Sequence, residues 1–168
     1  MPSHIETQRL VLRQFSPDDL EAYARMLANP DVVRYIGQGK PVTKEVAWRS
    51  MATVLGHWQL RSYGLWAVEL KSTKQLIGRI GLYNPEGWPG LEVGWMLDSQ
   101  YWGKGYAFEG AKASITFARD VLHVATLISL IQANNHPSIR LATRLGAHRT
   151  SEILLEGVPA QVYTHRLS

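Results

Sequence analysis

Alternation of apolar and polar positions around Leu10 and Leu12, running on to Phe15, predicts a strand over Ile5–Gln14. Ser16, Pro17, Asp18 and Asp19 then form a helix start: a serine cap, proline at the first helical position and acids in the first turn. Leu20, Tyr23, Ala24 and Leu27 follow helical spacing, and Asn29-Pro30 ends the run. After a loop over Tyr35–Pro41, Thr43 is placed to cap a second helix carrying Val46, Ala47, Met51, Val54, Leu55 and Trp58.

The texture changes at Gly64. Leu65–Leu70 and Gln75–Leu82 read as strands joined by the polar connector Lys71–Lys74. The turn-rich segment Asn84–Gly90 leads to a third strand, Leu91–Leu97. A glycine-bearing loop, a helix at about Gly105–Asp120 and an apolar strand at Ala125–Ile131 follow. Asn134–Pro137 opens a short helix that stops at Gly146, and His148–Leu155 with Ala160–Leu167 form a last hairpin around Glu156-Gly157. Strand, two helices, three-strand meander, helix, strand, helix, hairpin is the order of one mixed α/β domain.

The 168 residues fit a single domain, at roughly 100–200 residues per domain, so 1–168 is expected to be one unit. A hydrophobic share of 45% with 19% charged residues is ordinary for a globular chain and argues against long disorder. There is no cysteine, so disulfides, thiolate metal sites and a thiol nucleophile are excluded. Met1–Glu6 has no apolar stretch behind a basic start, and the longest apolar run, Val121–Ile131, is interrupted by His123, Thr126 and Ser129. Both fall short of a secretory leader or of the roughly 18 apolar residues of a membrane span, so a soluble, cytoplasmic protein with no membrane partner is expected. Eighteen Lys and Arg against 14 Asp and Glu leave a net charge of +4, scattered along the chain. That suits an anionic ligand but lacks the dense stripe of a nucleic-acid surface, and no direct nucleic-acid binding is expected. The six histidines show no metal-ligand spacing, and no metal site is expected.

The most informative segment is Asp98–Glu109, which joins a strand end to a helix start. A helix N-terminus offers about four unpaired backbone N–H groups and the positive end of the helix dipole. Gly103 and Gly105 remove the Cβ atoms that would keep an anion away. Together they make a cradle for a phosphate or pyrophosphate. The segment is neither a P-loop nor a dinucleotide fingerprint, since Gly-Lys-Ser/Thr and a third glycine are both missing. A glycine-punctuated turn without ligand is the plain alternative.

Gln100-x-x-Gly103-x-Gly105 matches in full the Gln/Arg-x-x-Gly-x-Gly/Ala motif of the GNAT superfamily of acyl-CoA-dependent N-acetyltransferases. Glu92–Asp98 followed by Tyr101–Ala107 resembles the RimJ/RimL-type branch, which includes enzymes acting on the N-terminal amine of ribosomal proteins. Asn135-x-x-Ser138, Leu145-Gly146 and Thr7–Arg13 extend the resemblance over nearly the whole chain. It implies one GNAT-like domain of mixed α/β class. Its central sheet would be mostly antiparallel, of six or seven strands, splayed at an acyl-CoA cleft and flanked by about four helices.

The resemblance also implies roles. Acetyl-CoA would be the co-substrate, its pyrophosphate held by the backbones of Trp102, Gly103, Lys104, Gly105, Tyr106 and Ala107, with Gln100 opening the loop. Lys104 is either a cation beside that anion or a solvated surface lysine. Met96 and Leu97 lie where a strand would pair with the pantetheine arm, as in strand addition. Asn135 is either a pantetheine contact or a helix cap, and Ser138 either a donor to the cofactor or its leaving sulfur, or a plain first-turn serine. Acyl transfer to an amine needs a proton acceptor. Glu92, the only acid in the strand before the loop, is the candidate base, with a structural glutamate as the alternative. Trp95 belongs to a cluster with Trp66, Tyr83 and Trp88 around the meander. Tyr35, Trp88 and Trp95 are candidate walls of an acceptor cleft for a small amine or a peptide N-terminus, a ribosomal protein among the candidates. The chain departs from the superfamily at Ala142, where many members carry a tyrosine acid, and at Ala147, where phenylalanine often follows the glycine. Two other functions stay in view, a non-catalytic acyl-CoA-binding module and an RNA- or ribosome-binding protein. A homodimer is left open.

Overall fold

A computed structural model describes residues 3–167. In chain order the elements are β1 (Ile5–Glu6), β2 (Leu10–Arg13), α1 (Leu20–Ala28), α2 (Pro30–Val33), α3 (Lys44–Arg61), β3 (Leu65–Leu70), β4 (Gln75–Tyr83), β5 (Glu92–Leu97), α4 (Tyr106–Asp120), β6 (Thr126–Ile131), α5 (His136–Arg144), β7 (His148–Leu155) and β8 (Val158–Arg166). The strands form one open sheet in the order β1-β2-β3-β4-β5-β6-β8-β7. Every neighbouring pair is antiparallel except β5 and β6. These two run parallel because α4 carries the chain across between them, as a parallel connection requires.

The sheet has eight strands rather than six or seven, because the strand expected over Ile5–Gln14 is a small hairpin. Ile5 faces Leu12 and Glu6 faces Val11. Between them the Thr7 N–H donates to the Leu10 carbonyl at 2.9 Å and the Leu10 N–H to Thr7 Oγ1 at 3.0 Å, which turns the chain back. The helices number five among the described residues because Asn29-Pro30 starts a helix as well as ending one. Asn29 Oδ1 accepts from the Asp31 N–H at 3.0 Å, and Pro30 takes the first helical position, where its missing N–H costs nothing.

The sheet is covered on both faces. On one side α4 turns Gly110, Ala111, Ser114, Phe117 and Ala118 inward, a helical stripe that packs with Leu12, Trp66, Val68, Ile80 and Leu82. On the other, α1 and α3 bury Tyr23, Met26, Met51 and Val54 against Leu65, Ala67 and Met96. Beyond β5 a third, smaller cluster joins Ile131, Ala142, Ala147 and Tyr163 under α5. α3 is fixed to the top of the sheet through His57, a buried histidine. Its Nδ1 donates to the Tyr63 carbonyl at 2.9 Å, and its Nε2 accepts the Asn84 N–H at 3.0 Å. Burial lowers its pKa, so the ring stays neutral in this tautomer.

β4 and β5 approach closely at Gly78, where an added Cβ would sit 2.1 Å from the Met96 carbonyl oxygen and 2.9 Å from Leu97 Cα. Both neighbours are backbone and have no rotamer to yield. Gly78→Ala is expected to destabilise the protein by about 1–3 kcal/mol, read as a lower midpoint of guanidinium unfolding.

Candidate active site

The pairing of β5 with β6 consists of one position, Glu92 opposite Ile128. There the Ile128 N–H donates to the Leu91 carbonyl at 2.9 Å. One step further Ser129 Oγ donates to the Val93 carbonyl at 2.8 Å. Beyond that the strands part. Strand alternation turns the backbone groups of Leu91, Val93, Trp95 and Leu97 toward this gap, while those of Glu92, Gly94 and Met96 face β4. Ser129 is itself oriented from behind. Having donated to Val93, its hydroxyl accepts from His165 Nε2–H at 2.9 Å. His165 is buried, its pKa pushed by desolvation down to about 4, and its Nδ1 has no partner among the described residues.

A cavity of about 240 Å³ lies where the strands diverge. Seven of the residues singled out from sequence line it: Tyr35, Trp88, Glu92, Trp95, Met96, Asn135 and Ser138. Glu92 accepts from Trp88 Nε1–H at 2.8 Å on one oxygen and, weakly, from the Leu130 N–H at 3.4 Å on the other. Burial dominates its environment and raises its pKa to about 7, against the opposing pull of these two donors and of the charge on Arg79. Trp88 packs edge-on against Tyr83, with ring centroids 5.2 Å apart. Trp95 Nε1–H donates to Ser138 Oγ at 3.1 Å, and Asn135 Oδ1 accepts from the Ser138 N–H at 3.4 Å, so Asn135 does cap α5. That cap leaves its Nδ2 free to donate. Tyr35 reaches across the opening to donate to the Asn134 carbonyl at 3.1 Å.

The remaining sequence-predicted residues stand outside the cavity, from the end of β5 through the following loop into the first turn of α4. Leu97 points into the core beside α4, and its carbonyl accepts from Trp102 Nε1–H at 2.9 Å. Gln100 is turned back onto Asp98, donating from Nε2 at 3.0 Å. Gly103 and Gly105 both adopt left-handed backbone, at φ 73° and 83°, where any other residue would be strained. Gly105 is the cap of α4, and the amides of Tyr106 and Ala107 that follow have no partner within the helix. Lys104 lays its ammonium 5.8 Å from the centre of the Tyr101 ring.

Arg9 supports this loop, a role the sequence did not disclose. Its Nη1 donates to the Lys104 carbonyl at 2.9 Å, and its guanidinium lies 4.4 Å over the Tyr106 ring. Glu109, in the first turn of α4, accepts from Arg9 Nε, the Arg9 N–H and Thr7 Oγ1, each at 2.7 Å. Arg79 and Ser129 were also missed. Arg79, the lone charge inside the apolar run Leu76–Leu82, is a signal the sequence did contain.

Residues 9–148 match the family model described as an acetyltransferase (GNAT) domain. The chain belongs to the GNAT acetyltransferases. Relatives of this family agree over most of their length. The uncharacterised N-acetyltransferase YnaD of Bacillus subtilis is 30% identical over 146 residues, 87% of this chain and 83% of that protein. An acetyltransferase from Agrobacterium tumefaciens strain C58 superimposes with a TM-score of 0.83 at 29% identity, over 99% of this chain and 95% of the other. A RimL ribosomal L7/L12 α-N-protein acetyltransferase in complex with coenzyme A shares the fold, with a TM-score of 0.81 over 98% of both chains at 15% identity. As a GNAT protein this chain is an acetyl-CoA-dependent acetyltransferase.

Glu92 gives this GNAT fold a measurable cost. Its pKa is 4.5 when free and about 7 in the folded chain, so the native state binds the proton more tightly. Stability tied to this group is therefore full below about pH 4.5 and is lost as pH rises toward 7. Glutamine does not titrate. Glu92→Gln is expected to gain about 2–3 kcal/mol on wild type between roughly pH 5 and pH 8, measured by urea unfolding at both.

Proposed function

We propose that the protein transfers the acetyl group of acetyl-CoA to a primary amine, by direct attack with both substrates bound. The observation that carries this reading is Glu92, a carboxyl of pKa about 7 at the floor of the cavity where β5 and β6 part. An ammonium of pKa near 10 has no lone pair at neutral pH, so a base tuned to this range is what amine acylation requires. The absence of cysteine removes a thiol acyl-enzyme route.

The residues present fit the co-substrate. Left-handed Gly103 and Gly105 at the start of α4 leave backbone N–H groups for its pyrophosphate, and the open edge of β5 offers the Trp95 backbone and the Leu97 N–H to its amide-bearing arm. Bound acetyl-CoA supplies the activated acyl group. Glu92, ionised, takes a proton from the acceptor ammonium and leaves a neutral nucleophile. Trp88 Nε1–H holds one carboxylate oxygen in place while this happens. The amine nitrogen then bonds to the acyl carbon as the carbon–sulfur bond breaks. Ser138 Oγ already accepts from Trp95, so its O–H is free to meet the departing sulfur and relay to it, directly or through water, the second proton that the amine nitrogen sheds as it becomes an amide. A tyrosine acid has no place in α5, because Ala142 is buried against Ile131, Ala147 and Tyr163. Asn135 Nδ2 and Ser138 are the side chains offered to the arm, while Tyr35, Trp88 and Trp95 wall the acceptor space.

Thioester consumption with a panel of primary amines and N-terminal peptides tests the proposal. Amine-dependent release of coenzyme A is expected, with kcat/KM rising as pH climbs through about 7. Glu92→Gln should lower kcat by about 10²–10³-fold and abolish that limb. Release that no amine accelerates would refute it. Gly105→Glu puts a bulky anion at the left-handed cap, and calorimetry should show coenzyme A affinity falling at least about tenfold with the fold retained.

A further inference from the structure

The acceptor cavity is lined by three charged side chains, Arg79, Glu92 and Glu156. Arg79 is its one cation among the described residues. It is half-buried on β4 opposite Met96. Among the described residues it makes no ion pair and no side-chain hydrogen bond. The other half-buried arginines among the described residues form ion pairs: Arg13 with Asp19 and Glu69, Arg9 with Glu109. A guanidinium presents five donors in a planar fork, and leaving it partly desolvated with none of them used is unfavourable.

Arg79, Gly81 and Tyr83 on β4 face Met96, Gly94 and Glu92 on β5, all on one side of the sheet. The glycine pair in the middle leaves bare backbone between Arg79 at one end and Glu92 at the other. The two residues are separated along the strands by about four positions, or roughly 13 Å, a gap the long arginine side chain partly closes. They lie near enough for the cation to act on Glu92, yet no ion pair within 4.0 Å joins them.

We propose that the acceptor carries a carboxylate close to its amine and that Arg79 receives it. The inference rests on the cavity being the acceptor site of an amine acetyltransferase. With the amine at Glu92, an anionic group one residue away falls on the side of the glycine floor where the guanidinium waits. A carboxylate matches the fork with two parallel hydrogen bonds. A phosphate dianion would call for more than one cation, and the other charges here, Glu92 and Glu156, are both acidic. The volume, about 240 Å³, lies below the roughly 300–1,000 Å³ usual for small-molecule sites and suits an amino acid or the first residues of a chain end. The carboxylate therefore comes either from a free α-amino acid or from an acidic side chain beside a peptide N-terminus. Tyr35, Trp88 and Trp95 supply apolar walls for the rest of the acceptor.

The test compares phenylalanine with its amide and with phenethylamine, and two peptides differing only by aspartate or asparagine in second place. The acid is expected to exceed its amide, or the aspartyl peptide the asparaginyl one, by about tenfold or more in kcat/KM; which pair responds identifies the source. Arg79→Gln should collapse that discrimination through KM, with kcat changed far less, and Arg79→Lys should restore part of it. Calorimetry with coenzyme A present should show the preferred acceptor binding to wild type and losing at least about tenfold in affinity to Arg79→Gln. Equal turnover of acids and amides, or an unchanged KM in Arg79→Gln, overturns the assignment of Arg79 while leaving the acetyltransferase in place. If no amine is acetylated by protein that still binds coenzyme A, the reaction itself is wrong and this proposal falls with it.

Discussion

Everything in this molecule that bears on chemistry follows from two strands that meet at one residue pair and then separate. Glu92 and Ile128 close the bridge, and Ser129, held by His165, adds a single side-chain bond to Val93 one step on. A full ladder would have satisfied every backbone group of β5 and left a continuous sheet with no room for a ligand. The open edge instead keeps hydrogen-bonding capacity that water or a ligand must satisfy. His165 illustrates how much the fold spends on this point, since its Nδ1 is buried without a partner among the described residues in order that Nε2 may serve Ser129.

The same junction sets the electrostatics. Glu92 is the last residue of β5 to have neighbours on both sides, so its carboxyl emerges where the sheet has just stopped excluding water. Packing on one side and a small cavity on the other make desolvation the dominant influence on it. Trp88, Leu130 and Arg79 oppose that influence only in part, which keeps the group near neutrality rather than fully ionised or fully protonated.

Much of this was legible from the chain. The bounds of β3 and β7 and, within a residue, of α4 match the sequence reading, β7 through the Glu156-Gly157 turn that closes its hairpin, and Thr43 caps α3 as its position suggested, accepting from the Val46 N–H. The loop from Asp98 to Glu109 could be read because its left-handed turns need glycines, which are visible in sequence. The open edge of β5 could not, because backbone amides leave no trace in residue identity. Alternation over Ile5–Gln14 reads as one strand, since it does not register the Thr7–Leu10 bonds that turn the chain back. Arg79 went unassigned for a related reason. Alternation places it on one face of β4, but whether that face meets water, a carboxylate or a cavity depends on strands paired only in three dimensions.

The N-terminal hairpin shows why sequence similarity near residue 9 accompanies the glycine loop far down the chain. The carboxylate of Glu109 gathers three donors from Thr7 and Arg9, and Arg9 passes the connection to the Lys104 carbonyl and the Tyr106 ring. Two left-handed glycines flanking Lys104 give a loop with many accessible conformations and high entropy when free. Tying its middle to an edge strand through one arginine removes those alternatives before any ligand arrives. The carbonyl of Lys104 is drawn toward Arg9 and so turned to one side of the loop. A peptide unit with its oxygen fixed has its following N–H fixed in the opposite sense. The arginine thereby orients the Gly105 amide at the entrance to α4 without touching whatever binds there.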